Sequence, residues 1–303
     1  MIELGVKTDP VEYRYSYNWL FDLMVEKGIK NVQLGSFFEL YSIDDEYFYD
    51  LRQEAESRGL IIKSVFTAHR ELGGFFTDNK YLVKAARKNY ERLIHVASLV
   101  GADYCGSSPG SIYRDQMNHK EQGIECYLSH MEELTAIAKT KGLKALTIEP
   151  MSCLAEPPTT PDEMDQMLDR LNGSQKTHSD TTSPVYFCSD ISHGYSDRNR
   201  EIIYNNIDLF VHSLPNMCEF HFKNTDVFFN KTFGFSEKES TYGIVDLYQF
   251  KDIIYSNVSS IPVNDLVGYL EIGGPKLGRD YSDPLLRDMF SESIDKLKTV
   301  FDK

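Results

Sequence analysis

The sequence predicts an α/β fold, a (β/α)8 barrel that forms a single domain over residues 1–303. Short apolar runs alternate with longer amphipathic stretches, and eight such pairs follow one another along the chain. Strict alternation of strand and helix is typical of a parallel sheet with helical crossovers, and eight units at this length are typical of a closed barrel. An open doubly wound sheet would need a glycine-rich turn after the first strand. That turn reads Lys7-Thr8-Asp9-Pro10 and does not favour the open sheet.

The predicted helices of the first half end at glycines, which accept the left-handed conformation that closes a last helical turn. The predicted strands lie at residues 2–6, 31–34, 60–66 and 102–105. The predicted helices lie at about residues 17–27, 44–58, 78–100 and 121–141. The glycines that follow these helices are Gly28, Gly59, Gly101 and Gly142.

The second half of the chain repeats the alternation of predicted strands and helices. The predicted strands lie at residues 143–148, 185–189, 218–222 and 266–272. The predicted helices begin at Thr160-Pro161, Arg198, Val245 and Ser282. Thr160 has the side chain of an N-cap, and Pro161 suits the first helical position. The polar segment 172–183 lacks periodicity and predicts a surface loop before the sixth strand.

The composition excludes several classes of protein. With 46 acidic and 32 basic residues, the formal net charge is −14, which opposes a general nucleic-acid binder. No apolar window is long enough to predict a membrane-spanning helix, and the first residues do not resemble a signal peptide. The five cysteines form no CxxC pair and are odd in number. We therefore expect a cytoplasmic protein without disulfides and without a membrane or nucleic-acid partner.

Ionisable residues end the last four predicted strands: Glu149, Asp190, His221 and Glu271. In such a barrel, groups at the carboxyl ends of the strands converge on one face. A single one of them would be read as a helix cap or a hydrogen-bonded core residue, but four on consecutive strands favour a shared divalent cation. Three carboxylates and one imidazole suit Mn²⁺, Co²⁺ or Mg²⁺, and Zn²⁺ is also compatible.

These motifs resemble the xylose isomerase-like TIM-barrel superfamily of sugar isomerases and epimerases, most closely its D-tagatose and D-psicose 3-epimerase branch. The matching segments are Ile148-Glu149-Pro150, Asp190-x-x-His193, Phe220-His221-Phe222-Lys223 and Leu270-Glu271. The resemblance implies that Glu149, Asp190, His221 and Glu271 are the metal ligands. It also implies that Glu149 and Glu271 act as acid and base, and that His193 contacts the substrate.

The chain departs from the 3-epimerases in the loops around this site. They carry an arginine shortly after the histidine of the seventh strand, where this chain offers only Lys223 or Lys231. His69 and Glu156 are candidate contacts for sugar hydroxyls, with a structural histidine and a solvated carboxylate as the alternatives. In the loop 273–281, Lys276 and Arg279 would suit a phosphate, unless Arg279 pairs with Asp280 instead.

The aromatic pairs Phe37–Phe38 and Phe75–Phe76 follow the second and third strands. We expect them to be exposed and either to wall a small pocket or to pack at a subunit interface. Family habit predicts a homo-oligomer, either a dimer or a tetramer.

The function that this sequence favours is a metal-dependent isomerase or epimerase of a small ketose or aldose. It would move a proton next to a carbonyl through an enediolate. The alternatives are a dehydratase of a keto-polyol on the same metal site and an isomerase of a phosphorylated sugar. An endonuclease of abasic DNA would need more histidines and a basic groove, and a non-catalytic sugar binder would have no use for four ligands.

Overall fold

The computed structural model describes residues 2–35, 37–68 and 71–302. Within these ranges, eight parallel strands close into a barrel in which each strand pairs with its neighbours in sequence. The closed barrel confirms the predicted fold class, while the prediction of a single domain stays a prediction. The strands are β1 (Glu3–Lys7), β2 (Asn31–Leu34), β3 (Ile61–Thr67), β4 (Tyr104–Ser107), β5 (Ala145–Ile148), β6 (Val185–Asp190), β7 (Met217–Phe222) and β8 (Val267–Leu270).

One principal helix follows each strand. Several helix ends carry the predicted N-cap side chain or the predicted closing glycine. Thr160 accepts a hydrogen bond from the backbone nitrogen of Glu163 at 3.3 Å. Gly28 and Gly142 have φ angles of 69° and 81°, as helix-ending glycines should. The helices are α1 (Tyr17–Lys27), α2 (Asp45–Ser57), α3 (Lys80–Leu99), α4 (Lys120–Thr140), α5 (Pro161–Thr177), α6 (Asn206–Ser213), α7 (Leu247–Ser256) and α8 (Leu285–Phe301).

The helix predicted from Arg198 is wrong in its first half. Residues Ile202–Tyr204 instead pair antiparallel with Tyr195–Ser196. β-branched and aromatic side chains favour this extended hairpin, and the Asp197 carboxylate accepts from the backbone nitrogens of its turn. The helix α6 begins only after Asn205, whose side chain accepts from the nitrogen of Asp208 at 2.8 Å.

The predicted loop 172–183 is also partly wrong, because α5 continues to Thr177. Asn172, the first residue of this polar stretch, has partners outside the helix. Its amide donates to the backbone oxygen of Val185 at 2.8 Å and accepts from the nitrogen of Val185 at 3.0 Å. A side chain that appears solvated in the sequence therefore ties α5 to the first residue of β6.

Strand register places polar residues of β1, β2, β7 and β8 at the same height along the barrel axis. Lys7 pairs with Gln33, and Val6 pairs with Leu270, the residue before Glu271. The nitrogen of Glu271 continues the ladder by donating to the oxygen of Phe222 at 3.0 Å. These residues lie at the carboxyl ends of parallel strands, where barrel enzymes carry their active sites.

The chain divides into two compact units. The first comprises Met1–Gly35, Gln53–Ile61 and Ser189–Lys303, and the second Ser36–Arg52 and Ile62–Cys188. Edge-to-face aromatic pairs pack the first unit, with Phe210 5.6 Å from Phe220 and 5.2 Å from Phe250 between ring centres. The second unit buries Tyr90 and Tyr127 completely. Across the described residues, no helix is both long and apolar enough to cross a membrane.

Candidate metal centre

The four predicted ligands lie at the ends of consecutive barrel strands. Glu149 follows β5, Asp190 ends β6, His221 lies on β7, and Glu271 follows β8. Each offers one ligand atom, and these four atoms all lie within 4.8 Å of one another. Glu149, Asp190 and His221 are buried, whereas the Glu271 side chain keeps 19% of its surface exposed. The structure thus brings together the set of side chains that the sequence singles out.

The ring of His221 is oriented by Gln33 of β2. Its Nε2 lies 2.8 Å from Oε1 of Gln33, and its Nδ1 lies 3.0 Å from Oε2 of Glu271. Because a carbonyl oxygen can only accept, Nε2 must carry the proton and donate it to Gln33. The free lone pair is then on Nδ1, the nitrogen that faces the carboxylate, which suits a metal ligand.

Lys223 connects the other groups of the cluster. Its Nζ lies 2.5 Å from Oδ2 of Asp190, 2.9 Å from Nε2 of His193 and 3.8 Å from Oε1 of Glu271. The second oxygen of Asp190 accepts from the backbone nitrogen of Ser192 at 2.7 Å. Lys223 and His193, two predicted substrate contacts, are therefore buried beside the candidate ligands.

Lys7 and Asp9 belong to the same cluster, although neither is among the predicted site residues. The Nζ of Lys7 lies 3.2 Å from Oε2 of Glu271 and 3.0 Å from Oδ2 of Asp9. The sequence contains a signal for Lys7, because this residue ends an apolar run as Glu149 does. Lys7 and Gln33 are polar residues near the ends of the first two strands and carry the same signal as those that end the last four.

These contacts shift the pKa values of the carboxyl groups in different directions. Burial raises the pKa of Glu271, but the charges of Lys7 and Lys223 outweigh burial and hold that pKa well below its usual range. For Asp190, burial again raises the pKa, and Lys223 and His193 bring it below its usual value. Asp9 behaves oppositely, since burial raises its pKa more than Lys7 lowers it.

The donor set and its spacing fit a divalent cation. Metal–oxygen distances of about 2.1 Å place opposite ligands about 4.2 Å apart, so the 4.8 Å spread requires only small side-chain movements. Glu149, Asp190 and Glu271 bring three carboxylates to this site, where the ammonium groups of Lys7 and Lys223 contact Glu271 and Asp190. Such an acidic excess at a buried site is costly unless a cation compensates it.

A sequence model of the xylose isomerase-like TIM barrel family matches residues 21–253. The chain belongs to this family. The matched region contains Glu149, Asp190 and His221, and Glu271 lies beyond it. The family membership confirms the resemblance that the strand-end motifs indicate.

Solved structures agree with this xylose isomerase-like barrel over nearly the whole chain. A Rhodospirillum rubrum protein provisionally assigned as a xylose isomerase matches with a TM-score of 0.80 at 20% identity, covering 99% of both chains. D-psicose 3-epimerase with D-tagatose from Clostridium cellulolyticum gives 0.70 at 12% identity, covering 99% of this chain and 97% of that chain. The IolI protein with a zinc atom gives 0.70 at 15% identity, covering 100% of both. No curated protein gives a significant sequence match.

The remaining predicted substrate contacts have protein partners, are exposed, or lie outside the described residues. Glu156 pairs with Arg114 at 3.1 Å, and Lys231 is exposed. Arg279 is also exposed, and its contact in the described chain is with the oxygen of Gly278 at 3.0 Å rather than with Asp280. His69 lies outside the described residues, so its predicted role stays a prediction.

Proposed function

We propose that this chain is a divalent-metal-dependent isomerase or epimerase that moves a proton next to the carbonyl of a small ketose or aldose. The observation that carries the proposal is the grouping of three carboxylates and one imidazole within 4.8 Å. The likeness to a D-psicose 3-epimerase and to a zinc-containing protein supports it. Charge and composition oppose a nucleic-acid substrate.

Glu149, Asp190, His221 and Glu271 would hold the cation, with Mn²⁺, Co²⁺, Mg²⁺ and Zn²⁺ as candidates. When bound, it supplies electrostatic stabilisation for negative charge that develops on the sugar oxygens. Gln33 keeps the Nε2 proton of His221 in place, so that Nδ1 remains available to the site.

Glu271 and Glu149 are the proposed acid and base. Lys7 and Lys223 keep Glu271 ionised, so its carboxylate can accept a proton from a carbon of the sugar. Glu149 returns a proton to the opposite face in an epimerisation. Return to the neighbouring carbon would instead interconvert aldose and ketose. In both cases one carbon–hydrogen bond is broken and one is formed.

Lys223 and His193 are the proposed contacts to substrate hydroxyls beside the ligands. Because Lys223 already lies 2.5 Å from Asp190, it also holds that carboxylate in place. Glu156 and Arg279 stay secondary candidates, in loops where each has a protein partner. A cytoplasmic location and assembly as a dimer or tetramer stay predictions as well.

The decisive experiment incubates the purified chain and Mn²⁺ with a panel of ketoses and aldopentoses in deuterium oxide. Nuclear magnetic resonance then shows which carbon exchanges its proton. We expect deuterium next to a carbonyl in at least one sugar, and loss of this exchange when EDTA removes the metal. A product short of one water would instead favour the dehydratase. No exchange in any sugar, together with no bound metal, would contradict the proposal.

Glu271→Gln and Glu149→Gln should each abolish the exchange, because an amide cannot accept the proton. Circular dichroism and thermal unfolding report whether the barrel stays folded. Glu201→Gln changes the charge equally at an exposed position and should exchange like the wild type. An active Glu271→Gln enzyme would refute the acid–base assignment.

A further inference from the structure

A cavity lies in the unit that contains α3 and α4. It has a volume of about 700 Å³ and is lined by the end of the β3–α3 connection and by one face of each helix. Cavities that hold small organic ligands measure about 300–1,000 Å³. The proposed sugar chemistry makes no use of this cavity.

The floor of the cavity is apolar. Phe75 and Phe76 line it and keep only 1% and 3% of their surface exposed, so the prediction of an exposed pair is wrong. Val83 and Cys126 extend the apolar lining. Gly123 lets Phe76 lie against α4, because an added Cβ would come within 3.0 Å of its ring. The aromatic residues thus wall a pocket, which was one of the two roles expected from the sequence.

The rim of the cavity is basic. Lys80, Lys84 and Lys88 are exposed and spaced four residues apart on α3, which places them on one helix face with about 6 Å of rise between neighbours. Within residues 2–35, 37–68 and 71–302, none of these three ammonium groups has a carboxylate partner. On a chain of net charge −14, three unpaired lysines beside an apolar cavity are complementary to an anion.

The other charged groups of the lining have protein partners, and Nδ1 of His119 lies 2.7 Å from Oδ2 of Asp78. Arg87 donates from Nε to Glu91 at 2.7 Å and from Nη1 to Glu133 at 2.5 Å. The ring of His130 stacks on Phe75 with 4.7 Å between ring centres, and burial together with Arg87 lowers its pKa. His130 therefore adds apolar surface rather than positive charge. Among the charged lining groups of the described chain, these three lysines have no ion-pair partner.

We infer that this cavity is a binding site for a small organic anion with an apolar, planar body. The body would lie against Phe75 and Phe76, and a carboxylate, sulfonate or phosphate would lie between Lys84 and Lys88. The concave apolar floor favours a small molecule over an acidic protein surface, which would meet the lysines but leave the floor uncovered.

The test uses 8-anilinonaphthalene-1-sulfonate, a planar apolar dye with one sulfonate, on the full chain. We expect saturable binding of one dye per chain, with increased dye fluorescence. The double variant Lys84→Glu/Lys88→Glu should bind about tenfold more weakly, because two attractions become repulsions. Both positions are exposed, so the variant should fold.

Two controls separate charge from apolar contact. Lys139→Glu changes an exposed lysine of α4 that does not line the cavity, and it should leave dye affinity within about twofold. The uncharged dye N-phenyl-1-naphthylamine should bind wild type and double variant alike, since it contacts only the floor.

Cysteine footprinting locates the dye. Cys126 lines the cavity, whereas Cys153 is a similarly half-buried cysteine that does not. Bound dye should slow alkylation of Cys126 by N-ethylmaleimide at least about threefold and leave Cys153 unchanged, as read by peptide mass spectrometry.

Three results would overturn the inference. They are equal dye affinity in the wild type and the double lysine variant, equal protection of both cysteines, and a wild-type dimer that excludes the dye and dissociates in the double variant. The last result would assign the basic rim to a second copy of the chain instead.

Discussion

The Nε2 of His221 lies 2.8 Å from Oε1 of Gln33, a residue three strands away around the barrel. The hydrogen bond fixes which ring nitrogen carries the proton, and it leaves Nδ1 facing Glu271. Outer hydrogen bonds of this kind orient metal-binding histidines and raise their basicity.

Replacing Gln33 by Leu should therefore weaken cation binding without removing a ligand. Loss of such an outer partner costs about 10–100-fold in metal affinity. Isothermal titration of the metal-free chain with Mn²⁺ measures the change. Gln33→Glu retains an acceptor for the Nε2 proton and should bind Mn²⁺ better than Gln33→Leu. Gln249→Leu, on the exposed face of α7, is the matched control, and unchanged affinity in Gln33→Leu would contradict the role assigned to Gln33.

Lys223→Met should destabilise the metal-free chain strongly. Asp190 is fully buried as a side chain, and it would lose the ammonium group that lies 2.5 Å away. Removing one member of a buried ion pair costs about 3–5 kcal/mol. Urea unfolding in EDTA measures this loss, and added Mn²⁺ should restore part of it, because a cation can replace the missing charge. Lys231→Met changes an exposed lysine and should have little effect. A loss of the same size with and without Mn²⁺ would separate Lys223 from the proposed metal centre.

Gly35→Ala should disturb Asp9 and through it the contact of Lys7 with Glu271. An added Cβ at Gly35 would lie 1.4 Å from Oδ1 of Asp9, so one of the two must move. Overpacking of this kind costs about 1–3 kcal/mol. Urea unfolding measures this loss of stability. Gly173→Ala is the control, because nothing lies within 4 Å of a Cβ added at this position of helix α5. That substitution should be neutral or stabilise the chain by up to about 1 kcal/mol.

Asp45→Asn should reduce stability in a pH-dependent way. Asp45 pairs with Arg92 and lies 2.8 Å from Nε2 of His95, and the hydrogen bonds from Arg92 and His95 hold its pKa below the usual 3.8. As the pH falls, the unfolded chain takes up this proton first. The stabilisation is therefore present above about pH 4 and is lost as the pH falls through the lower folded pKa.

Because Asp45 is more than one-third exposed, the expected loss at neutral pH is below about 1 kcal/mol. Between about pH 3 and 5, the free energy of unfolding of the variant should depend less on pH than that of the wild type. Asp50→Asn, an exposed substitution in the same helix, should keep the wild-type pH dependence. If Asp45→Asn lowered the free energy of unfolding by the same amount at every pH, the prediction would be contradicted.

Most of the fold could be predicted because local patterns and barrel topology agree. Helix-ending glycines such as Gly28 and the cap at Thr160 mark element boundaries through neighbouring residues alone. The hairpin at Ile202–Tyr204 was missed because its partner strand, Tyr195–Ser196, precedes the predicted helix, and helical periodicity does not register pairing across a turn. The helical stretch up to Thr177 was missed because its residues are polar without an apolar period, and the contact of Asn172 with Val185 is a tertiary contact that periodicity does not register.

The sequence by itself determined the barrel, its family and the four strand-end side chains, since consecutive strand ends of a barrel must converge. Only the tertiary structure decided how these side chains are held. Strand register brings Lys7 to Glu271, Gln33 selects the nitrogen that His221 presents, and Lys223 approaches Asp190. Such contacts require side-chain positions to be set to within a few tenths of an ångström. They join residues up to 264 positions apart, which no local pattern specifies.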